Sequence, residues 1–253
     1  MSKTLTFIGN GNMAFSIANG LKNKYTLEVV GRSQENLDKF EEKLGVNINK
    51  FLLKDFNIQD KTLILCIKPA NVEEVSKLLS GQAAVIYSVL AGTSIKKLQD
   101  NFNTKALVRT MPNLAASVGA SMTTLTGDQI YKNEAEILFN GIGMTRWLGS
   151  EKEIDIATAL AGSGPAYLAL IAESLADGAV KQGLKRDDAM AIMRGLFDGF
   201  APLIQTVHPA LLKDGVMSPG GTTAAGYAAL ENGNVRNACI NAVEKAYKKA
   251  TEL

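Results

Sequence analysis

The stretch Thr4-Leu-Thr-Phe-Ile-Gly-Asn-Gly-Asn-Met-Ala14 decides the fold of the first part of the chain. Residues 5–8 are a short apolar run typical of a buried strand, and the residues after Met13 place apolar side chains at helical spacing. The loop between them has the pattern Gly-x-Gly-x-x-Ala, which in this context is typical of a dinucleotide-binding βαβ unit. The stretch therefore predicts a strand, a phosphate-binding turn and a helix.

The two glycines of this turn have different predicted roles. Gly9 permits the tight turn after the strand, and Gly11 lets a pyrophosphate approach the backbone closely. The first helical amides, at Asn12 and Met13, then face the phosphates together with the positive end of the helix dipole. We expect Gly9, Gly11, Asn12 and Met13 to bind the cofactor.

The second predicted strand indicates which cofactor is preferred. It covers Leu27–Val30 and continues into Gly31-Arg-Ser33, without the acidic residue that holds the adenine ribose in a NAD(H) site. Arg32 can pair with a 2′-phosphate, and Ser33 can add a hydrogen bond. This pattern favours NADP(H) and leaves NAD(H) open. The alternative is a solvated arginine and a serine that only caps the next helix.

Strand-like and helix-like segments alternate as far as about residue 150. Alternation of this kind predicts right-handed βαβ units, and hence an α/β fold with a doubly wound, mostly parallel sheet. The further strand-like runs are Thr62–Ile67, Ala84–Ser88, Leu107–Thr110, Met122–Leu125 and Met144–Leu148.

Beyond residue 150 the pattern changes to helices alone. We predict a dinucleotide-binding Rossmann domain at 1–150 and an all-helical domain at 151–253. Ile154–Leu170 is apolar nearly all round, and a free monomer has too few helices to enclose it, so we expect a homodimer or a higher oligomer. The predicted helices are Glu153–Ala161, Pro165–Gln182, Asp187–Val207, Thr222–Leu230 and Val235–Thr251.

Composition and charge exclude several classes of protein. The 253 residues are 46% hydrophobic and 21% charged, and a net charge of +2 gives no basis for a nucleic-acid or membrane-surface partner. Cys66 and Cys239 fit neither a disulfide framework nor a metal site, so we expect packed, reduced thiols, no bound metal and a cytoplasmic location. The uncharged run Ile156–Ala172 is at the short end of a membrane span. Because Gly162-Ser-Gly-Pro165 interrupts it, we expect a buried central helix instead.

Two proline loops follow later strands of the predicted sheet. Lys68-Pro69 comes directly after the third strand-like run, and Met111-Pro112-Asn113 follows the fifth. Ligands bind outside the carboxyl ends of parallel strands in this architecture, so we expect both loops to flank the cofactor. Beyond the first loop, Asn71 and Glu74 have the spacing of a capping box, which predicts the start of a helix.

The segment Ser218-Pro-Gly-Gly-Thr-Thr223 stands directly before a predicted helix. Its glycines leave backbone amides free, the helix dipole is positive at this end, and the Ser218 hydroxyl adds a donor. This combination suits a carboxylate. Taken alone, a proline–glycine loop with a threonine cap explains the same residues.

Five motifs together resemble those of the pyrroline-5-carboxylate reductase family, in the family's order and at its spacing. The first motif is shared by many dehydrogenases, whereas the Ser-Pro-Gly-Gly-Thr-Thr segment is much more specific. The motifs are Phe7-Ile-Gly-Asn-Gly-Asn-Met13, Ile67-Lys-Pro69, Met111-Pro-Asn113, Gly162-Ser-Gly-Pro-Ala-Tyr167 and Ser218-Pro-Gly-Gly-Thr-Thr223.

The resemblance implies a small-molecule substrate, the cyclic imine 1-pyrroline-5-carboxylate, which NADPH or NADH reduces to L-proline in the last step of proline biosynthesis. It implies that Ser218, Gly221 and Thr222 hold the carboxylate, and that the catalytic Thr223 hydrogen-bonds the ring nitrogen. It also implies dimers that interlock through their helical domains. A protonated imine is already electrophilic, so the protein needs to supply only orientation, water exclusion and a hydrogen-bond partner at nitrogen.

Two other functions stay open at this stage. A 3-hydroxyacid dehydrogenase also joins a Gly-x-Gly-x-Met start to a helical domain, but it needs a catalytic lysine with asparagines nearby, and Lys181 matches this only faintly. An NADPH sensor without turnover would need no second carboxylate site. The single histidine, His208, precedes a proline at a predicted helix start, which favours a structural role over acid catalysis.

Overall fold

The structure, a computed structural model, describes residues 3–252. Eight of its strands form one sheet in the order β10-β9-β8-β7-β5-β1-β2-β3, and a separate pair joins β4 to β6. Neighbours in the large sheet are parallel, except that β8 and β9 are antiparallel. This confirms the predicted mostly parallel sheet. The strands are β1 (Thr4–Ile8), β2 (Thr26–Gly31), β3 (Asn49–Leu52), β4 (Phe56–Asn57), β5 (Thr62–Leu65), β6 (Leu79–Ser80), β7 (Val85–Ser88), β8 (Leu107–Met111), β9 (Ser121–Gly127) and β10 (Gly143–Trp147).

Helices connect the strands and account for the chain beyond Trp147, where the described residues contain no further strand. The helices are α1 (Asn12–Leu21), α2 (Gln34–Leu44), α3 (Val72–Ser76), α4 (Ile95–Asn101), α5 (Lys132–Phe139), α6 (Glu151–Ala157), α7 (Gly164–Lys181), α8 (Arg186–Thr206), α9 (Pro209–Val216), α10 (Thr222–Asn232) and α11 (Val235–Thr251). The predicted helical part is therefore confirmed, and a π-helical segment, Thr158–Gly162, joins α6 to α7.

The central strands of the large sheet, β1, β2, β5, β7 and β8, are buried on both faces. Phe7 of β1 packs in one apolar cluster with Ile17 of α1, whereas its neighbour Ile8 packs in a second cluster with Leu98 of α4. Successive side chains of a strand point to opposite faces, so helices must cover both sides of the sheet. This explains why the strands read as continuous apolar runs, and it confirms the doubly wound arrangement.

The chain divides into two compact units, Met1–Pro165 with Lys245–Leu253, and Ala166–Glu244. The first unit contains the sheet, and α6 also belongs to it. In the second unit only Ala176 and Ala189 are buried. The predicted domain division at residue 150 stays a prediction.

By length and composition alone, one helical stretch among the described residues, Glu151–Lys181, is long and apolar enough to cross a membrane, with a mean hydropathy of 1.4. One such helix is weak evidence for a membrane protein. Only 11% of its most apolar part is buried, so the prediction of a buried central helix is wrong for the single chain. The reason is that the chain contributes too few neighbouring apolar residues to enclose it. The predicted interruption is the π-helical segment and a turn at Ser163.

A buried arginine fastens α6 to the sheet. Arg109 of β8 is 2% exposed, and its Nη1 and Nη2 atoms lie 2.9 Å from Glu151 Oε1 and 2.8 Å from Asp155 Oδ1. Glu151 Oε1 also accepts a hydrogen bond of 2.8 Å from the backbone N–H of Ile95 at the start of α4. A guanidinium removed from water must be balanced by charge, so these two carboxylates are structural requirements.

We expect the double variant Glu151→Gln/Asp155→Asn to lose about 3–5 kcal/mol of unfolding free energy, because it leaves a buried arginine without a counter-charge. The matched control is Asp100→Asn, which breaks an exposed pair with Lys96 and should cost less than about 1 kcal/mol. Urea unfolding followed by the fluorescence of the single tryptophan, Trp147, measures both. Equal losses would contradict a structural role for the buried pair.

Candidate active site

A cavity of about 280 Å³ lies where the strand order reverses, between β1 and β5. In doubly wound sheets this crevice outside the carboxyl ends of the strands is where nucleotides bind. The turn after β1 and the end of β5 both line it, as do residues from the tip of β2. The lining includes the predicted cofactor residues Gly9, Gly11, Arg32 and Lys68, together with Asn10, Gly31, Asn36, Cys66, Ile67 and Asn71.

The two glycines of the turn meet different surroundings. Gly9 has φ +106, and a Cβ there would lie 2.6 Å from the carbonyl oxygen of Cys66. Gly11 is the N-cap of α1, and a Cβ there would meet nothing within 4 Å. Because Gly11 has no side chain, the amides of the first helical turn, beginning at Asn12 and Met13, are open to an anion. The glycine cradle therefore fits a pyrophosphate.

Arg32 follows β2 and is half exposed, and its Nη2 atom lies 2.9 Å from Oε1 of Glu74 in α3. Ser33 is the N-cap of α2, but its side chain makes no capping hydrogen bond. The tip of β2 therefore presents a guanidinium and a hydroxyl group. Glu74 was not predicted as part of the site, because it belongs to a helix 42 positions away in sequence.

Two residues separate the Lys68-Pro69 loop from the end of β5 at Leu65. Lys68 is exposed and precedes a 3₁₀ turn, Pro69–Asn71, whose last residue donates its backbone N–H to the Lys68 carbonyl oxygen at 2.9 Å. The predicted helix start is confirmed, since α3 begins at Val72 with Asn71 as its N-cap, but the Asn71 side chain makes no capping hydrogen bond. Asn71 also ends the 3₁₀ turn, and its backbone is not in the extended conformation that is typical of an N-cap residue.

The Met111-Pro112-Asn113 loop lies in the same unit but does not line this cavity. Met111 ends β8 and is buried. The Asn113 side chain is committed to the protein: its Nδ2 donates to the carbonyl oxygen of Ala161 at 3.0 Å, and its Oδ1 accepts from the Ala115 N–H at 3.1 Å. The predicted contact of this loop with the cofactor stays a prediction.

The predicted carboxylate loop lies in the second unit. Gly221 donates its N–H to the Ser218 carbonyl oxygen at 2.9 Å and is the N-cap of α10, and a Cβ at Gly221 would lie 2.4 Å from Ser218 Oγ. Thr222 and Thr223 are exposed and form the first helical turn. The turn thus holds one hydroxyl against a glycine and presents two more beside free N-terminal amides, which suits an anion.

The remaining candidates have structural surroundings. His208 is the N-cap of α9, and its Nδ1 accepts the Ala210 N–H at 3.3 Å, which is a capping role. Burial raises the pKa of the Cys66 thiol, which disfavours the reactive thiolate. Cys239 is exposed in the single chain, so its predicted packed position is wrong here. Residues 3–252 contain no cluster of three metal-ligating side chains.

Comparisons with known proteins bear on these two sites. A family model described as "Pyrroline-5-carboxylate reductase dimerisation" matches residues 151–253, and one described as "NADP oxidoreductase coenzyme F420-dependent" matches residues 4–92. A pyrroline-5-carboxylate reductase of Synechocystis is 36% identical over 266 residues, which cover 100% of this chain and 99% of the relative.

The chain belongs to the pyrroline-5-carboxylate reductase family. Its structure resembles that of the Streptococcus pyogenes reductase, with a TM-score of 0.86, 32% identity and coverage of 100% and 99% of the two chains. It also resembles the Plasmodium falciparum pyrroline carboxylate reductase with NADP bound, with a TM-score of 0.82, 28% identity and coverage of 99% and 97%.

Membership of the pyrroline-5-carboxylate reductase family confirms the resemblance that the five motifs indicated. It also confirms that the chain is an oxidoreductase with a Rossmann-like part and a helical part. The match to a dimerisation model supports self-association. Two residues that the sequence did not indicate also line the cavity, Asn10 from the glycine turn and Asn36 from the first turn of α2.

In this member of the family we expect Gly11→Val to abolish NADPH binding and leave stability unchanged, because the new side chain enters open space that a pyrophosphate needs. Gly9→Val should instead destabilise the fold, because its side chain meets the Cys66 backbone at a φ that valine avoids. Isothermal titration with NADPH and thermal unfolding of both variants test the pair. Normal NADPH affinity in Gly11→Val would remove this glycine from the site.

Proposed function

We propose that this chain reduces 1-pyrroline-5-carboxylate to L-proline, with NADPH as the preferred hydride donor and NADH as the second donor. The observation that carries the proposal is full-length similarity to pyrroline-5-carboxylate reductases, from one end of the chain to the other, with the Ser218–Thr223 segment intact. The reaction belongs to proline biosynthesis, and we place it in the cytoplasm, where both thiols stay reduced.

The dinucleotide supplies the hydride, and the protein has to bind and orient it. Gly9 and Gly11 shape the turn, while the α1 amides from Asn12 and Met13 onward balance the pyrophosphate charge. Arg32 and Ser33 face the adenine ribose. We include Lys68, Pro69, Met111, Pro112 and Asn113 as the loops that flank the cofactor.

The substrate carboxylate binds at the start of α10. The Ser218 hydroxyl and Thr222 donate hydrogen bonds to it, and the positive end of the helix dipole adds to the attraction. Gly221 donates its N–H to the Ser218 carbonyl oxygen and, having no side chain, leaves room for the Ser218 hydroxyl. Binding of the carboxylate fixes the ring so that Thr223 meets its nitrogen. As the imine becomes an amine, the charge and hydrogen bonding of that nitrogen change. The Thr223 hydroxyl hydrogen-bonds the nitrogen throughout this change.

Two alternatives make different predictions. A 3-hydroxyacid dehydrogenase would oxidise a hydroxyacid with NADP⁺ or NAD⁺, and an NADPH sensor would bind cofactor without turnover. Purified protein with NADPH and 1-pyrroline-5-carboxylate, followed by the loss of nicotinamide absorbance and by proline formation, separates the reductase from both alternatives. Turnover of a 3-hydroxyacid with NADP⁺ or NAD⁺ then separates the dehydrogenase from the sensor. The assay repeated with NADH gives the cofactor preference. Cofactor binding without proline formation would refute the proposed activity.

We expect Thr223→Val to lower kcat by about tenfold to a hundredfold, because a hydrogen bond to a charged group contributes about 1.5–3 kcal/mol. Its affinity for NADPH should be unchanged. Thr223→Ser keeps the hydroxyl and is the matched control, which should retain most of the activity. A Thr223→Val variant with normal kcat would point to water or another group as the partner of the ring nitrogen.

A homodimer, or a larger assembly of dimers, is part of the proposal. Leu196 and Phe200 of α8 and Leu212 of α9 line an apolar groove of about 490 Å³ that the single chain leaves open. Leu196 is 56% exposed in the single chain, and a helix of a partner chain would bury this side chain. Association is therefore coupled to stability.

We expect light scattering of the purified protein to give at least twice the 27.0 kDa mass of one chain. Leu196→Asp should reduce the mass, the melting temperature and the activity together, because it places a charge in an apolar interface. Ile130→Asp, at an 88% exposed position of the first unit, is the control and should change none of them. An active species of 27.0 kDa would refute the dimer.

A further inference from the structure

The ion pair between Arg32 and Glu74 brings an acidic group to the tip of β2, where the strand itself has none. Arg32 Nη2 and Glu74 Oε1 are 2.9 Å apart, and the two side chains are 54% and 59% exposed. Arg32 lines the cavity where the strand order reverses. Asn71 of the 3₁₀ turn and Val75 of α3, which stand on either side of Glu74 in sequence, line the same cavity.

We propose that Glu74 determines how strongly this chain discriminates between NADPH and NADH, by competing with the 2′-phosphate for Arg32. The inference rests on the proposed use of a nicotinamide dinucleotide. A 2′-phosphate that pairs with the Arg32 guanidinium must approach the Glu74 carboxylate, which lies against the same group. The two anions repel each other, and the Arg32–Glu74 pair must open or share its charge.

The Arg32–Glu74 ion pair can open because both side chains are exposed to solvent. Solvated ion pairs are weak because water and salt screen them, so a phosphate with a higher charge can displace the carboxylate. Glu74 therefore reduces, but does not prevent, the binding of a 2′-phosphate. A buried pair in the same position would have excluded it.

The same carboxylate has the opposite effect on a ribose without a phosphate. In NAD(H) sites an acidic residue near the tip of the second strand accepts hydrogen bonds from the ribose hydroxyls. Glu74 offers such an acceptor from α3 at the place where Arg32 emerges from β2. Thus the arginine favours NADPH, the glutamate favours NADH, and the balance between the two side chains sets the preference.

Titration calorimetry of the full chain with 2′,5′-ADP and with 5′-AMP isolates the contribution of the 2′-phosphate, since the two ligands differ only in that group. In Glu74→Gln we expect the affinity for 2′,5′-ADP to rise by about threefold to thirtyfold, and that for 5′-AMP to fall, because the ribose hydroxyls lose a charged acceptor. Glu73→Gln is the matched control, because it removes the same charge from the neighbouring exposed residue. It should raise the affinity for 2′,5′-ADP by less than about twofold.

Arg32→Ala completes the cycle. It should weaken 2′,5′-ADP and abolish the gain from Glu74→Gln in the double variant, because the competition acts through the guanidinium. Equal effects of Glu74→Gln and Glu73→Gln would overturn the proposal, as would weaker 2′,5′-ADP binding in Glu74→Gln. A wild-type chain that binds neither ligand overturns both the inference and the proposed function. One that binds both ligands but forms no proline refutes the reductase alone and leaves the Glu74 result standing.

Discussion

The close approach of the Gly9 turn to the backbone of Cys66 is the constraint on which the cofactor site depends. β1 pairs with β2 on one side and with β5 on the other, and Gly9 continues the ladder by donating to the Val30 carbonyl oxygen at 2.9 Å. A side chain at Gly9 would push the turn away from the end of β5. Since Ile8 is paired with Val30, the β2 chain passes beside the glycine turn and then delivers Arg32 to the cavity.

A second constraint fixes the position of the Met111–Asn113 loop. Arg109 is buried within β8 and paired to α6, and two residues beyond the end of that strand Asn113 donates to the carbonyl oxygen of Ala161. Ala161 belongs to the π-helical segment, whose irregular hydrogen bonding leaves a carbonyl that a side-chain amide can satisfy. The Met111–Asn113 loop is therefore braced against the start of the helical part. Any contribution of Asn113 to cofactor binding comes through the position of this loop, because its amide group already has partners.

The parts of the fold that follow from local pattern could be predicted from the sequence. Buried strands are recognisable as apolar runs. The glycine turn is recognisable because the strand and the helix that form it are adjacent in the sequence. The exposed strand β3 and the short pair of β4 and β6 have no such pattern, and they exist because neighbouring backbone offers hydrogen bonds. The ion pair between Glu74 and Arg32 could not be predicted for a similar reason, since the two residues belong to different elements.

The apolar sequence of the second unit predicts a buried core that the single chain does not form. Its sequence has the apolar content of a core, yet between Ala166 and Glu244 only two alanines are buried. Burial of two small side chains cannot offset the conformational entropy lost by ordering four or five helices. The apolar side chains that would supply the difference, such as Leu170 and Ile192, are 65% and 63% exposed. The free energy that keeps this unit folded must therefore come from surface buried between chains, so that folding of the Ser218–Thr223 loop, the proposed substrate site, is coupled to self-association.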